Sequence, residues 1–406
     1  MTPSKLWLLS LLPLAGGIPQ DCEEPTPTEP PTPTAADLQQ PSQCSTPSLR
    51  FVVDGGLRQA QAPDGSVFAL GLRKLTDGSS ILIHRYGWAE ALYIQVEGSR
   101  STPAFAVTPG GGFLLASSST SGEVGSWLTL LDAAGGILWE RFIAGQTIRA
   151  IERHPQGGYL IAGDELVDGQ HQPFASQLDS EANPLWHKTY HLVEGGIAWA
   201  TIPEDGGAVL AGGAAGRGWM ARLGPGGDAL WELSIPTDEG SALLALGSTA
   251  SGDLVAAGRQ GVPTAGGILD GAWAIGVTPD GVVRWQNLLA VPEGEDVQWD
   301  PYYCLSTGVA PTQKGGAVIS GACSEQFHYG GGHDGFLWKV DSDGQLDWTT
   351  ALEFHVRGTL DEWDRPPAGV SLDGEALISA ASVYVDFLES TGEVYSTRYL
   401  AWERCQ

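Results

Sequence analysis

The sequence predicts an all-β chain, a seven-bladed β-propeller of four-stranded antiparallel blades that follows an N-terminal signal peptide and a Pro/Thr-rich linker. Three observations carry this. A phrase of glycine-containing turn residues followed by a small apolar strand recurs seven times. A second phrase follows the last six: an aromatic residue stands five positions before a turn residue, and a Trp often stands seven after it. Between these phrases apolar residues alternate in short runs bounded by Gly, Pro and Asp, about four runs to a unit, which is strand punctuation. Four antiparallel strands repeated every ~45–60 residues is the propeller period.

The chain opens with a different kind of segment. Lys5 precedes the apolar run at 6–14, and Ala15-Gly16-Gly17 supplies small residues for cleavage. That order reads as a secretory signal over 1–17, so the protein is expected outside the cytoplasm: extracellular, periplasmic or on the cell surface. Residues 14–17 resemble a bacterial lipoprotein box with Gly where the lipidated Cys would stand. Cys22 comes five residues later, so a strict box is absent. Residues 18–48 form an acidic linker, with 25–34 made of Pro and Thr apart from Glu29. Proline fixes φ and removes donors, which makes this an extended spacer with no core of its own. The propeller is expected over 49–406.

Composition bounds the rest. A hydrophobic share of 42% is enough for a large core, and 56 glycines without a three-residue period exclude collagen. No run of ~18 apolar residues follows the first segment, so no transmembrane span is expected in the mature chain. Lys+Arg 21 against Asp+Glu 48 gives a net charge of −27, which repels phosphate backbones and argues against a nucleic-acid partner.

The first phrase occupies 64–71, 111–117, 157–163, 206–212, 252–258, 315–321 and 373–379. The second runs Trp127, Asp132, Trp139; Phe174, Asp179, Trp186; Trp219, Gly224, Trp231; Trp273, Thr278, Trp285; Phe336, Asp341, Trp348. In the seventh unit Tyr384 and Glu389 fit and Tyr395 lies one short, while the first unit fits poorly. Eight of the 15 Trp fall in these columns. They are read as packing residues, because stacked units share a core built from repeated apolar columns. The run Gly-Gly-Gly-His-Asp-Gly-Phe-Leu-Trp-Lys-Val-Asp-Ser-Asp-Gly at 330–344 is representative. Over 51–402 the phrasing resembles the degenerate β-propeller repeats of bacterial secreted and lipoprotein-like proteins. That resemblance implies a scaffold and no chemistry.

Five cysteines is an odd number for an exported chain. Cys304 and Cys323 flank the turn at 312–316, so they are expected opposite each other on paired strands, as a disulfide within the sixth unit. Cys44 precedes the first strand and Cys405 follows the last, which suits a clasp between the ends of a ring and leaves Cys22 over. The rival pairing, Cys22 with Cys44, leaves Cys405. No spacing matches a thiolate metal site.

In a four-strand antiparallel cycle, the two glycine-turn connections share one face and the other two kinds share the opposite face. The latter are long at 260–271, 291–303, 324–335 and 353–366, in units five to seven, and variable loops on a rigid scaffold are where binding resides. Two are acidic and aromatic, and both join consecutive units. One offers Glu295, Asp296, Trp299, Asp300 and Tyr302, and the other Asp361, Glu362, Trp363 and Asp364. The aromatics suit stacking on a sugar or clamping a peptide, so a protein or glycan partner is expected. Bland solubilising loops are the plainer reading of the same residues. A hydrolase or lyase using two of the carboxylates, Glu293 among them, is the alternative. His328, His333 and Asp334 stand among glycines and repeat residues, so no metal is expected there. No cofactor is expected: a quinone-dehydrogenase propeller would bring eight blades and an adjacent Cys-Cys pair, and neither a P-loop nor HExxH is present.

Overall fold

The computed structural model describes residues 48–402 except 53–57, 63, 65, 76–77, 86–90, 98–99, 101–103, 120–121, 191–194, 204–205, 236, 238–239, 250, 265–266, 291–301, 313–314, 326–332, 353–361, 374–375 and 390–391. The chain divides at 38/39, and every described residue belongs to the second unit. The signal, the linker, Cys22, Cys44 and Cys405 lie outside the described residues.

Among the described residues the strands group into seven four-stranded antiparallel sheets. The first holds β2 (Arg58–Gln61), β3 (Val67–Leu75), β4 (Gly78–Arg85) and β5 (Ala91–Glu97). The second holds β6 (Ala104–Val107), β7 (Phe113–Ser118), β8 (Gly125–Leu131) and β9 (Ile137–Ala144). Next come β10 (Gln146–Arg153), β11 (Tyr159–Val167), β12 (Gln170–Leu178) and β13 (Pro184–Thr189), then β14 (Gly195–Thr201), β15 (Ala208–Ala214), β16 (Arg217–Leu223) and β17 (Ala229–Ser234). The fifth holds β18 (Ser241–Ser248), β19 (Leu254–Thr264), β20 (Gly267–Val277) and β21 (Val283–Ala290); the sixth β22 (Tyr302–Pro311), β23 (Ala317–Glu325), β24 (His333–Val340) and β25 (Leu346–Leu352). The last sheet joins β26 (Glu362–Asp373), β27 (Ala376–Glu389) and β28 (Gly392–Trp402) to β1 (Ser48–Val52), in the order β1-β28-β27-β26.

First strands meet across sheets in sequence: β2 with β6, β6 with β10, β10 with β14, β14 with β18, β18 with β22, β22 with β26, and β26 back to β2. The core lies between consecutive sheets. Ile161 and Phe174 of the third sheet pack with Leu114 and Leu128 of the second, while Leu160 and Ala175, one residue along, pack with Leu210 and Trp219 of the fourth. Strand alternation thus gives the inner strands of the second to fifth sheets two buried faces, and that is why those recurring strands are apolar throughout.

Both phrases now have physical causes. The first strand carries a bulge after Ile148, Ile197, Leu243 and Ser306. Opposite these stand Gly163, Gly212, Gly258 and Gly321, the glycines that close the first phrase. A Cβ on Gly163 would lie 2.0 Å from the Thr147 carbonyl oxygen, so the bulge excludes any side chain there. The Asp of the second phrase folds the next turn: Asp132 accepts from the N–H groups of Ala134 (2.9 Å) and Gly136 (2.8 Å), and Asp341 likewise from Asp343 and Gln345.

The Trp columns divide. Trp219 and Trp273 are buried, as expected for packing residues. In the later column Trp186, Trp231 and Trp285 are only half-buried and reach forward to the next sheet. Trp186, Trp231 and Trp285 donate their indole N–H to the carbonyls of Pro225 (2.9 Å), Pro279 (2.9 Å) and Ser342 (3.2 Å). Each ring lies over the glycine of that turn, Gly227, Gly281 or Gly344, all with φ near +80°. Only glycine allows both the positive φ and the closeness of the indole. Leu92 takes this place against Gly135, which is why the first unit lacks the Trp.

Three sequence expectations change. The loop expected at 260–271 is a strand extension, since β19 and β20 stay paired out to Thr264↔Gly267. The loop expected at 353–366 becomes strand from Glu362 onward. The seventh sheet takes its fourth strand from the N-terminus, so the turn after Glu389 joins its second and third strands, and Tyr384 and Tyr395 sit one strand earlier than their counterparts. Among the described residues no helix is long and apolar enough to cross a membrane.

Candidate binding face

The antiparallel order fixes which connections share an edge. The glycine turns leave one edge of each sheet, and the second-to-third hairpins and the links between sheets leave the other. At that other edge the spacing is uneven. Gly145 alone links β9 to β10, and Asp168-Gly169 and Ala215-Gly216 close the hairpins of the third and fourth sheets. By contrast 291–301, 326–332 and 353–361 separate the strands of the fifth to seventh sheets.

Glu293, Glu295, Asp296, Trp299, Asp300, Asp361 and His328 lie outside the described residues. Tyr302 opens β22, and Glu362, Trp363 and Asp364 open β26, facing Val385, Tyr384 and Val383 across the ladder. Strands β22 and β26, which follow the two acidic, aromatic segments in sequence, abut. His333 and Asp334 belong to β24 rather than to a loop, opposite Ser324 and Cys323. Cys304, buried at 1% exposure, stands directly opposite Cys323 in the β22–β23 register.

On the same edge the second and third sheets carry polar clusters that sequence reasoning missed. Glu165, at the outer end of β11, accepts from the Thr189 hydroxyl and from Gln146 Nε2 (3.1 Å), and lies 3.0 Å from His187 Nε2. Its neighbour Asp164 points to the opposite face of the strand. There it accepts from Arg149 Nε (2.6 Å) and from the Ile197 N–H (3.0 Å), which sits at the bulge of the next sheet. Beside the second sheet, the buried Arg100, which precedes β6, donates to both carboxylate oxygens of Glu140 at 2.8 and 3.3 Å, with its guanidinium 4.8 Å from the Trp127 ring centre. Burial opposes ionisation of Glu140, but the bonds from Arg100 and Thr129 outweigh it and hold the carboxyl below its ordinary range. These groups come from different strands and connections. The only available signal was a charged residue where the repeat puts an apolar one.

These clusters are satisfied internally, and their chemistry is that of ties within and between sheets. Glu152 on β10 differs. It pairs with Leu160, and the matching positions in other sheets hold Ala106, Thr201, Gly247 and Ala310. Among the described residues no hydrogen bond or ion pair reaches its carboxyl. The residue is half-buried, and desolvation of the carboxyl pushes its pKa from 4.5 to about 8. It lies toward the glycine-turn end of β10, away from the long connections.

No family model matches the chain, and no curated protein matches it. Solved structures do. Hydrazine synthase of Kuenenia stuttgartiensis aligns at 14% identity over 82% of this chain and 96% of that one, TM-score 0.53. Sqt1 of Chaetomium thermophilum aligns at 12% identity over 88% of this chain and 100% of its own, TM-score 0.49. The β-propeller domain of the Trilobed protease of Pyrococcus furiosus aligns at 10% identity over 85% and 98%, TM-score 0.43. At these identities the likeness concerns the fold alone.

Proposed function

We propose that this chain is an exported, closed seven-bladed β-propeller that binds a protein or glycan partner through the connections of its fifth to seventh blades. The observation that carries the reading is the uneven edge. Where the second to fourth sheets spend one or two residues on several connections, the chain spends 291–301, 326–332 and 353–361 at the same edge of three successive sheets. A rigid framework with length concentrated on one sector suits recognition. The cycle of neighbouring first strands supports closure, and the order of charge, apolar run and small residues at 5–17 supports export. Glu295, Asp296, Trp299, Asp300, Tyr302, Asp361, Glu362, Trp363 and Asp364 are the contact residues. A Cys304–Cys323 disulfide braces the strands beneath them, since directly opposed positions on antiparallel strands lie within bridging distance.

The test is a glycan array, with chemical cross-linking to envelope extract beside it, on the wild type and on Trp299→Ala/Trp363→Ala. Binding by the wild type and its loss in a variant of unchanged melting temperature supports the site. Unchanged binding by the variant places the interface elsewhere. Turnover of a bound glycan that disappears on Glu→Gln and Asp→Asn changes at 293–300 and 361–364 would favour the hydrolase reading instead.

A further inference from the structure

Two buried side-chain atoms among the described residues meet no hydrogen-bond partner, Trp273 Nε1 and Ser306 Oγ. The second stands at a break in the sixth sheet. Strand β22 skips a residue between Ser306↔Gly321 and Gly308↔Ser320, the same bulge that β10 makes after Ile148 and β14 after Ile197. A bulge turns backbone groups out of the ladder. In the third and fourth sheets the N–H so released is capped by a side chain of the preceding sheet: Ile148 N–H donates to Ser126 Oγ (2.9 Å) and Ile197 N–H to Asp164 Oδ1 (3.0 Å). Both caps come from one row of the repeat, Ser118↔Ser126 in the second sheet and Asp164↔Pro173 in the third. In the fifth sheet that row is Arg259↔Ala272. Alanine has no polar side-chain atom and a guanidinium only donates, and Arg259 already donates to Asp270 at 2.6 Å. The row that caps two other bulges therefore offers the Ser306 N–H no acceptor.

The side chain of Ser306 faces the same interface. Alternation puts it on the side of Cys304, which packs with Ala257, Ala272 and Ala274 of the fifth sheet. Where Ile148, Ile197 and Leu243 fill the matching position with branched carbon, the sixth sheet sets a hydroxyl, at 0% exposure, against alanines. Trp338 walls the place, since its ring lies over Gly321, the residue opposite Ser306. Buried polar groups in proteins are paired with one another or with ordered water, and an internal water bridges several of them at once. We propose that an ordered water molecule binds between the fifth and sixth sheets, accepting from the Ser306 N–H and bonded to the Ser306 hydroxyl. It does for the bulge of the sixth sheet what Ser126 and Asp164 do for those of the third and fourth, and so ties one sheet to the next without a side chain crossing between them.

The experiment is oxygen-17 relaxation dispersion on the full chain, which counts water molecules held inside a protein for longer than its tumbling time. Ser306→Val supplies the branched carbon that the third to fifth sheets carry at this position, and it is expected to hold one such water fewer than the wild type. An unchanged count overturns the proposal. Thermal unfolding of Ser306→Ala is the second readout, and it adds no bulk beside Trp338. A hydroxyl bonded to water is a paired group whose loss weakens the fold, so this variant is expected to melt below the wild type. A buried hydroxyl with no partner is better removed, so a melting temperature equal to or above that of the wild type overturns the proposal. Neither measurement involves the connections assigned to binding, so this proposal and the partner-binding one fail separately.

Discussion

Glu152→Gln is predicted to stabilise the protein by an amount that grows with pH. In the unfolded chain this carboxyl titrates near 4.5; in the native state burial raises it to about 8. Over that window the unfolded state has released a proton that the native state still holds, so stability is full below the unfolded value and falls as pH rises toward the native one. At ~1.4 kcal/mol per pKa unit, the deficit grows with pH to at most about 4 kcal/mol at pH 8, and the partial exposure of this carboxyl reduces it. Glutamine keeps the shape and carries no proton equilibrium, so the variant should gain on the wild type by up to roughly 3 kcal/mol between pH 5 and pH 8. Glu152→Ala should show the same pH trend, since Ala106 and Ala310 occupy the matching positions. The assay is urea unfolding followed by Trp fluorescence at pH 5, 6, 7 and 8 at fixed ionic strength, with slopes compared to exclude a change in the unfolded state. A difference between variant and wild type that stays constant to within about 0.5 kcal/mol across the series would refute the burial argument.

Three further outcomes are expected. Trp231→Ala should cost about 2–3 kcal/mol through lost packing and the lost bond to Pro279, with exchange protection falling at the 278–282 turn of the next sheet as well as in β17; protection unchanged at that turn would remove the forward reach from the account. Glu140→Ala should cost about 3–5 kcal/mol, because it leaves the buried Arg100 guanidinium without its carboxylate. Glu140→Gln should flatten the acid limb of the stability profile, since the wild-type contribution is present above the ordinary glutamate range and is lost as pH falls through the depressed native value; equal acid limbs, read by thermal melts, would count against the pair. Gly163→Ala should cost more than about 2 kcal/mol, because the new Cβ meets the Thr147 carbonyl at the bulge, and thermal unfolding of the single variant measures it.

The sequence was most readable where one backbone geometry is used repeatedly. Gly163, Gly212, Gly258 and Gly321 share a bulge, Asp132, Asp179 and Asp341 share a turn, and the Trp after that turn shares a role, so repetition made each visible without knowledge of its contacts. It was least readable where a group works through partners set by register. Glu165 meets Gln146, His187 and Thr189 on β10 and β13, and nothing in their spacing marks them as a set. Glu152 went unremarked because it breaks a column of small residues on a strand whose alignment only the ladder reveals. The later Trp column was recognised, but its forward reach was not: a half-buried indole capping a neighbour's turn and a buried one filling a core leave the same sequence signature. The acidic, aromatic segments stand out by composition alone; the structure adds that the strands following them, β22 and β26, are neighbours.

Because β1 belongs to the sheet of β26–β28, the earliest strand to leave the ribosome must wait for the latest. Six sheets can form in order behind it, each from consecutive chain, while the outer edge of β28 has no partner until β1 returns to it. Completion of the seventh sheet is therefore a long-range step that no local folding can replace, and cutting into either β1 or β28 removes material from that one sheet. A tag or surface anchor attached before residue 48 would also pull first on the strand added last, so mechanical load from a tether enters the fold at the seam where its history ends.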